Sequence, residues 1–123
     1  MEKFISISNT SDFGRAYHRG RSYGNKLLVM YIFERGQGSE GRIGISVSKK
    51  VGNSVVRHRI KRQIRECFRT RMKMWKDGFD IVVVARQAIK NQEFTSICSA
   101  LERTGRQLKV FSSEGEVYEE GLH

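Results

Sequence analysis

The sequence predicts a single α/β domain in which a few strands and helices share one hydrophobic core. Its 123 residues match the size of one domain, and a chain of that length buries roughly two thirds of its surface on folding. Runs rich in β-branched residues alternate along the chain with segments whose apolar residues recur at helical spacing. We therefore expect residues 1–111 to form one domain. Residues 112–123 hold four glutamates and no Lys or Arg, which predicts a disordered acidic tail.

Four segments of the N-terminal half carry recognisable patterns. The Thr-Ser-Asp run that opens 10–19 offers N-caps for a short helix, which Gly20 ends. The apolar run 27–33 predicts a buried strand, and the glycines of 35–41 predict a loop. In residues 42–48 apolar side chains alternate with small or polar ones. This strand should therefore have one face in the core and the other open to something polar.

The C-terminal half predicts another strand and another helix. Residues 80–85 have the composition of a buried strand, and the apolar positions of 95–108 keep helical spacing. Cys67 and Cys98 both fall on apolar stripes and lack a Cys-x-x-Cys spacing. We therefore expect two buried thiols in a reducing cytoplasm, with no disulfide between them.

Residues 55–76 are predicted to form a long amphipathic helix, with Gly52-Asn53-Ser54 as the preceding turn and N-cap. The apolar residues occupy an arc of roughly 120° on a helical projection, and cations fill most of the opposite side. Residues 42–76 hold twelve Lys or Arg and one acid, a charge of +11, so this part of the chain accounts for the net charge of +10. An ordinary solvated face mixes both signs, whereas a face of one positive sign is typical of nucleic-acid binding.

The sequence offers little that could catalyse a reaction. Carboxylates are scattered singly or gathered in the tail, and the three histidines lie far apart, so no acid–base pair or metal-ligand spacing is evident. Ser46 and Ser48 lack a Gly-x-Ser-x-Gly elbow. We predict no catalytic residue, and no metal or cofactor bound by the protein itself. The longest apolar run is too short to span a bilayer and no signal peptide is evident, which predicts a cytoplasmic protein without a membrane partner.

Three aromatic residues are candidates for contact with unpaired bases. Phe13 and Tyr17 are i and i+4 on the first predicted helix, and Tyr31 lies in the first predicted strand. Aromatic side chains on one surface can stack unpaired bases with little sequence preference. Packing of the helix on the sheet would explain the same pattern at least as well, and periodicity does not separate the two interpretations.

One stretch is specific enough to suggest a family. Residues 45–66 are Ile-Ser-Val-Ser-Lys-Lys-Val-Gly-Asn-Ser-Val-Val-Arg-His-Arg-Ile-Lys-Arg-Gln-Ile-Arg-Glu. They closely resemble the signature of the bacterial ribonuclease P protein subunit: a Ser-x-Ser-Lys-Lys strand end, a Gly-Asn turn and an Arg-Asn-Arg-x-x-Lys-Arg helix. Phe13-Gly-Arg-Ala-Tyr17 and the strand at 80–86 also match in place, so the resemblance covers about residues 4–108. His58 stands where the family has the central Asn of its triplet, and Gln87 replaces a common proline.

The resemblance implies an α-β-β-β-α-β-α sandwich with a four-stranded sheet and a left-handed crossover around the basic helix, against the usual rule. It also implies a ribonucleoprotein that removes the 5′ leader from precursor tRNA, with the RNA subunit as catalyst and user of Mg²⁺. The protein would bind the leader between the sheet and the first helix. Carried over by position, the leader-binding residues are Phe13, Tyr17, Tyr31, Ser46, Ser48 and Lys49. The residues that would bind the catalytic RNA are Arg57, His58, Arg59, Lys61, Arg62 and Arg65.

Two other classes fit part of the pattern. A ribosomal or other structural RNA-binding protein could use a basic helix on a small α/β core equally well. A helix-turn-helix regulator of DNA fits less well, because predicted strands flank the basic helix and no short turn leads to a second helix. No obligate protein partner is evident in the sequence.

Overall fold

The structure, a computed structural model, describes residues 4–112. In chain order these form β1 (Ile5–Ser6), α1 (Thr10–Arg19), β2 (Arg21–Gly24), β3 (Leu28–Glu34), β4 (Arg42–Ser46), α2 (Ser54–Thr70), β5 (Phe79–Ala85) and α3 (Phe94–Gln107). The expected α+β class is confirmed. The acidic tail expected over 112–123 lies outside the described residues, apart from Ser112.

The strands form one mixed five-stranded sheet in the order β1-β4-β5-β3-β2. The expectation of four strands was therefore wrong. The additional strand is β1, whose two residues precede α1 and pair in parallel with β4. A two-residue strand has no periodicity that a sequence pattern could show. β4 is also parallel to β5, while β3 is antiparallel to both β5 and β2.

The sheet separates two apolar clusters. β3 contributes alternate residues, among them Leu28 and Met30, to a large cluster that includes Ile60 and Ile64 of α2. Its intervening residues, such as Tyr31, pack with a smaller cluster around Ala16 of α1 and Val82 of β5. Successive residues of a strand point to opposite faces, so α2 and α3 cover one face of the sheet and α1 covers part of the other.

The two N-terminal helices begin with side-chain caps. The Asn53 side chain accepts a hydrogen bond from the Val56 amide at 3.0 Å, which confirms the predicted cap of α2. In α1 the cap is Asn9, one residue before the predicted run, and its side chain accepts from the Asp12 amide at 2.8 Å. Asn in this position satisfies one of the four N–H groups that a helix leaves unpaired at its start.

The basic helix is shorter than predicted. It ends at Thr70, and a 3₁₀ turn over Met72–Met74 replaces its last predicted residues. Arg71 leaves helical geometry, with φ −121° and ψ 29°, and its guanidinium pairs with Glu102 of α3 at 2.6 Å. Because α2 lies between β4 and β5, the chain does not form a helix-turn-helix around it.

The expectation of two reduced thiols was also wrong. Cys67 of α2 and Cys98 of α3 form a disulfide, with their Cα atoms 5.4 Å apart. Each residue is 2% exposed, so the predicted burial of both is confirmed. The sequence shows that each cysteine lies on an apolar stripe, but it does not show that the two stripes face each other. In the described part of the chain, no helix is long and apolar enough to cross a membrane.

Candidate nucleic-acid interfaces

The three predicted leader-binding aromatic residues lie together on the α1 side of the sheet. The Tyr17 ring meets the Tyr31 ring edge-on, with centroids 4.9 Å apart. The centroids of Phe13 and Tyr17, one helical turn apart on α1, are separated by 6.3 Å. We call Phe13, Tyr17 and Tyr31 the aromatic cluster. The three rings lie on one surface, as the stacking of unpaired bases on them requires.

The members of the aromatic cluster differ in accessibility. Phe13 is half-buried and packs over Gly44 of β4, where an added Cβ would lie 2.7 Å from the Phe13 Cζ. Gly44 is thus required for α1 to approach the sheet this closely. Tyr17 is 37% exposed. Packing therefore accounts for the position of Phe13, whereas Tyr17 offers an accessible ring to a ligand.

Polar groups adjoin the aromatic cluster at the end of β4. Burial raises the pKa of Tyr17, and a hydrogen bond from Ser46 acts in the opposite direction. The phenol is thus neutral at physiological pH and does not repel a phosphate. Ser48 and Lys49 are exposed in the turn after β4, where the Ser48 carbonyl accepts from the Val51 amide at 3.1 Å.

One row of the sheet next to the aromatic cluster remains partly open. Val29, Val84 and Ser46 are aligned across β3, β5 and β4, one row beyond Tyr31, and all three are half-buried. The two valines extend the apolar surface beside Tyr17. Sequence reasoning missed them because they belong to apolar runs whose residues are otherwise mostly buried.

All six residues predicted to bind the catalytic RNA lie on α2. His58, Arg59, Arg62 and Arg65 are exposed, and Arg57 and Lys61 are half-buried. Arg59 donates from Nη2 to the Lys90 carbonyl at 2.9 Å. The Nε of Arg57 is buried without a hydrogen-bond partner among the described residues.

Arg62 and Arg65 are the cations of this helix that are most clearly available to a ligand. Both are exposed, and neither has an acidic partner within residues 4–112. Arg69, further along α2, donates from Nε to Glu66 at 2.9 Å. That hydrogen bond lowers the pKa of Glu66 and raises the pKa of Arg69.

Sequence reasoning missed a buried ion cluster that fixes α1 on the sheet. Arg42 of β4 donates from Nε and Nη2 to the two carboxylate oxygens of Asp80, both at 2.7 Å, and from Nη1 to Asp12 of α1 at 3.0 Å. Asp80 is completely buried and Asp12 is 5% exposed. The signal was present in the sequence, since an aspartate within an apolar strand requires a partner.

The ion cluster also determines the chemistry of its carboxylates. The hydrogen bond with Asp80 raises the pKa of Arg42, so the guanidinium is always charged. Burial by itself raises the pKa of Asp12, but the hydrogen bonds from Arg42 and Asn9 hold it below its ordinary value. Asp12 is consequently a poor general base. The described residues contain no group of three His, Cys, Asp or Glu that could hold a metal ion.

Comparison with known proteins assigns the family. Residues 1–109 match the family model described as Ribonuclease P. The Ribonuclease P protein component of Lachnoclostridium phytofermentans is 48% identical over 108 residues, covering 88% of this chain and 92% of that protein. The component of Staphylococcus epidermidis is 42% identical over 117 residues, covering 93% and 98%.

Solved structures agree with this assignment. The RNase P protein of Staphylococcus aureus superposes with a TM-score of 0.81 at 39% identity, covering 89% of this chain and 100% of that chain. The RNase P protein from Thermotoga maritima gives 0.74 at 28% identity, covering 82% and 96%. The resemblance seen in the sequence is thereby confirmed. The chain belongs to the ribonuclease P protein family, as a bacterial-type protein component of an endoribonuclease whose partner is the ribonuclease P RNA.

Proposed function

We propose that this protein binds the RNA subunit of ribonuclease P through α2 and the 5′ leader of precursor tRNA through the aromatic cluster. By holding both, it promotes endonucleolytic removal of the leader and formation of the mature tRNA 5′ end. The observation that carries the proposal is the pair of chemically different surfaces on opposite faces of one sheet. A helix of cations faces outward on one side, and an accessible tyrosine beside an open apolar row lies on the other.

The α2 surface suits a folded RNA. Arg62 and Arg65 have no acidic partner in residues 4–112, so binding phosphate would break no ion pair of theirs there. Cations spaced along a helix can contact successive phosphates, and each contact releases counterions. The remaining α2 residues proposed to face the RNA subunit are Arg57, His58, Arg59 and Lys61.

The α1 face suits a single strand. Tyr17 presents an exposed ring, and Ser46 and the open row of valines lie beside it. Unpaired bases stack on aromatic side chains whatever their sequence, which fits a leader whose sequence varies among precursors. Ser48 and Lys49 would extend this surface toward the leader phosphates.

Catalysis is proposed to reside in the RNA subunit. The protein would hold no cofactor, and Mg²⁺ bound by the RNA would supply an activated water for hydrolysis. Asp12 and Asp80 have a structural role instead, because Arg42 engages both. We expect the assembly to act in the cytoplasm, where precursor tRNA is processed.

The test is reconstitution with a bacterial ribonuclease P RNA and a precursor tRNA at low Mg²⁺. Addition of this protein should permit cleavage that yields the mature 5′ end, under conditions in which the RNA alone is slow. RNA binding without any gain in cleavage would contradict the proposal and favour the alternative of a structural RNA-binding protein.

A further inference from the structure

A concave surface lies where α2 meets the edge of the sheet at β1, and we call it the β1 groove. It encloses about 310 Å³, a volume at the small end of ligand sites, which span about 300–1,000 Å³. Its apolar part is formed by Phe4, Ile5, Ile43, Phe68 and Met72. None of the residues assigned to the aromatic cluster lines it.

The rim of the β1 groove is cationic. Arg62, Arg65 and Arg69 line it together with Glu66, so three positive charges and one negative charge leave +2. Glu66 is already engaged by Arg69. Arg62 and Arg65 consequently supply the charge available to an anion, and a ligand of this groove should carry negative charge beside an apolar portion.

The apolar part of the β1 groove includes exposed and aromatic surface. The Phe4 ring meets the buried Phe68 ring edge-on at a centroid distance of 5.4 Å, which fixes its orientation. Phe4 and Met72 are half-buried, so both leave apolar surface to a ligand. A flat, apolar ligand portion would cover this surface.

The edge of β1 also offers a peptide donor and acceptor. The amides of Ile5 and Ile7 donate to the carbonyls of Gly41 and Ile43 at 3.2 and 2.8 Å. Alternate residues of a parallel strand direct their polar groups to the same side, so the N–H and C=O of Ser6 point away from β4. β1 is the edge of the sheet and Ser6 lines the groove. These two groups match the adjacent donor and acceptor on the edge of a nucleobase.

We propose that the β1 groove binds one unpaired nucleotide of the ribonuclease P RNA, with its base on Phe4 and against the Ser6 peptide. Arg62 and Arg65 hold the phosphates on either side of it. The RNA subunit is the source because the groove adjoins α2, whereas the aromatic cluster lies on the opposite face of the sheet. This inference rests on the proposed binding of the RNA subunit by α2.

The experiment compares two variants that place a glutamate on opposite edges of the sheet. Ser6→Glu puts a negative charge in the β1 groove, because Ser6 is exposed and pairs with Ile43 on the α2 side of the sheet. Tyr23→Glu puts one on β2, where Tyr23 is 46% exposed. Thermal unfolding first establishes that each full-length variant is folded. Chemical probing of every base of the RNA subunit, with and without protein, is then combined with titration of the affinity.

We expect wild type and Tyr23→Glu to protect the same small set of unpaired bases. Ser6→Glu should lose protection at one of them and bind about tenfold more weakly, the loss expected when one stacked base is no longer bound. Should Ser6→Glu fail to fold, Met72→Glu, which also changes a residue that lines the groove, replaces it with the same expectation. Identical protection by both glutamate variants overturns the groove site, whereas absence of binding by wild type would instead overturn the proposed function.

The acidic residues 113–123 are a competing occupant. If their removal strengthens RNA binding by wild type but not by Ser6→Glu, the groove belongs to this segment and the nucleotide proposal is wrong. If their removal leaves the protection pattern of wild type unchanged, the nucleotide proposal stands.

Discussion

Arginines on the two faces of the sheet have different roles. On the α1 face, Arg42 is only 19% exposed in its side chain and is surrounded by Asp12 and Asp80. On the α2 side, Arg62 and Arg65 project into solvent and have no acidic partner in the described residues. The first arrangement holds elements of the protein together, and the second leaves charge available for a polyanion.

The comparison shows that the number of cations in a stretch of sequence does not give the number that are available to bind RNA. Twelve cations in residues 42–76 suggest one basic surface, yet Arg42, Arg69 and Arg71 pair with acids. The acids that pair with Arg42 and Arg71 lie far from them in the sequence. They are Asp12 and Asp80 for Arg42, and Glu102 for Arg71. Only the remaining cations can contribute fully to counterion release.

The largest expected effect is on stability, from Arg42→Met. Loss of the guanidinium leaves the carboxylate of Asp80 completely buried without its bidentate partner. Breaking a buried pair in this way costs about 3–5 kcal/mol. Arg62→Met, the matched change at an exposed position, should alter the free energy of unfolding by no more than about 0.5 kcal/mol. Urea titration of both variants measures the difference, and equal stabilities would show that the ion cluster does not hold α1.

The next effect is on leader binding, from Tyr17→Ala. Removal of a stacking ring should cost about 1–3 kcal/mol of affinity for precursor tRNA, while the affinity for mature tRNA, which lacks the leader, stays unchanged. Tyr17→Phe should retain most of the affinity because it keeps the ring and loses only the bond with Ser46. Tyr23→Ala, an exposed tyrosine on β2, is the control for general aromatic loss. Equal losses for both RNAs would favour a packing role for Tyr17.

The smallest effect is a difference in acid sensitivity between two carboxylates held by arginine. The pKa of Asp12 is lowered from 3.8, so its ionised form stabilises the fold above pH 4 and that contribution is lost as the pH falls through the lowered value. Asp12→Asn should therefore be less stable than wild type at pH 7, and the gap should narrow below pH 4. Glu66→Gln should show a smaller gap because the Glu66 side chain is 44% exposed. Stability curves from pH 7 to pH 2.5 test this, and a constant gap for Asp12→Asn would contradict it.

Local patterns predicted the parts of the fold that depend on neighbours in sequence. The Asn53 cap and the buried runs of β3 and β5 follow from residue types within a few positions. The β4 face predicted to be open is instead covered at Gly44 by Phe13 of α1. Contacts between distant segments were missed. The Cys67–Cys98 disulfide joins residues 31 positions apart, and no periodicity shows which helix faces which.

The candidate site divides in the same way. The basic face of α2 and the i, i+4 pair of α1 are helical patterns, and both sets of residues lie on helices as the sequence predicted. Which of those residues are accessible depends on tertiary packing, and Phe13 over Gly44 is the example. The β1 groove could not be predicted, because it forms between a two-residue strand and a helix that begins 48 residues further along the chain.

The central claim is that unpaired cations on α2 bind the ribonuclease P RNA. Its most direct test is the salt dependence of that binding, measured for a variant with Lys61, Arg62 and Arg65 all replaced by Gln. A matched variant carries Gln in place of Lys26, Arg103 and Lys109, three exposed cations outside α2. The α2 variant should lower the slope of log K against log salt by about 0.7–0.9 for each phosphate that it no longer binds, and the matched variant should change the slope far less. A slope for the α2 variant equal to that of wild type would contradict the account.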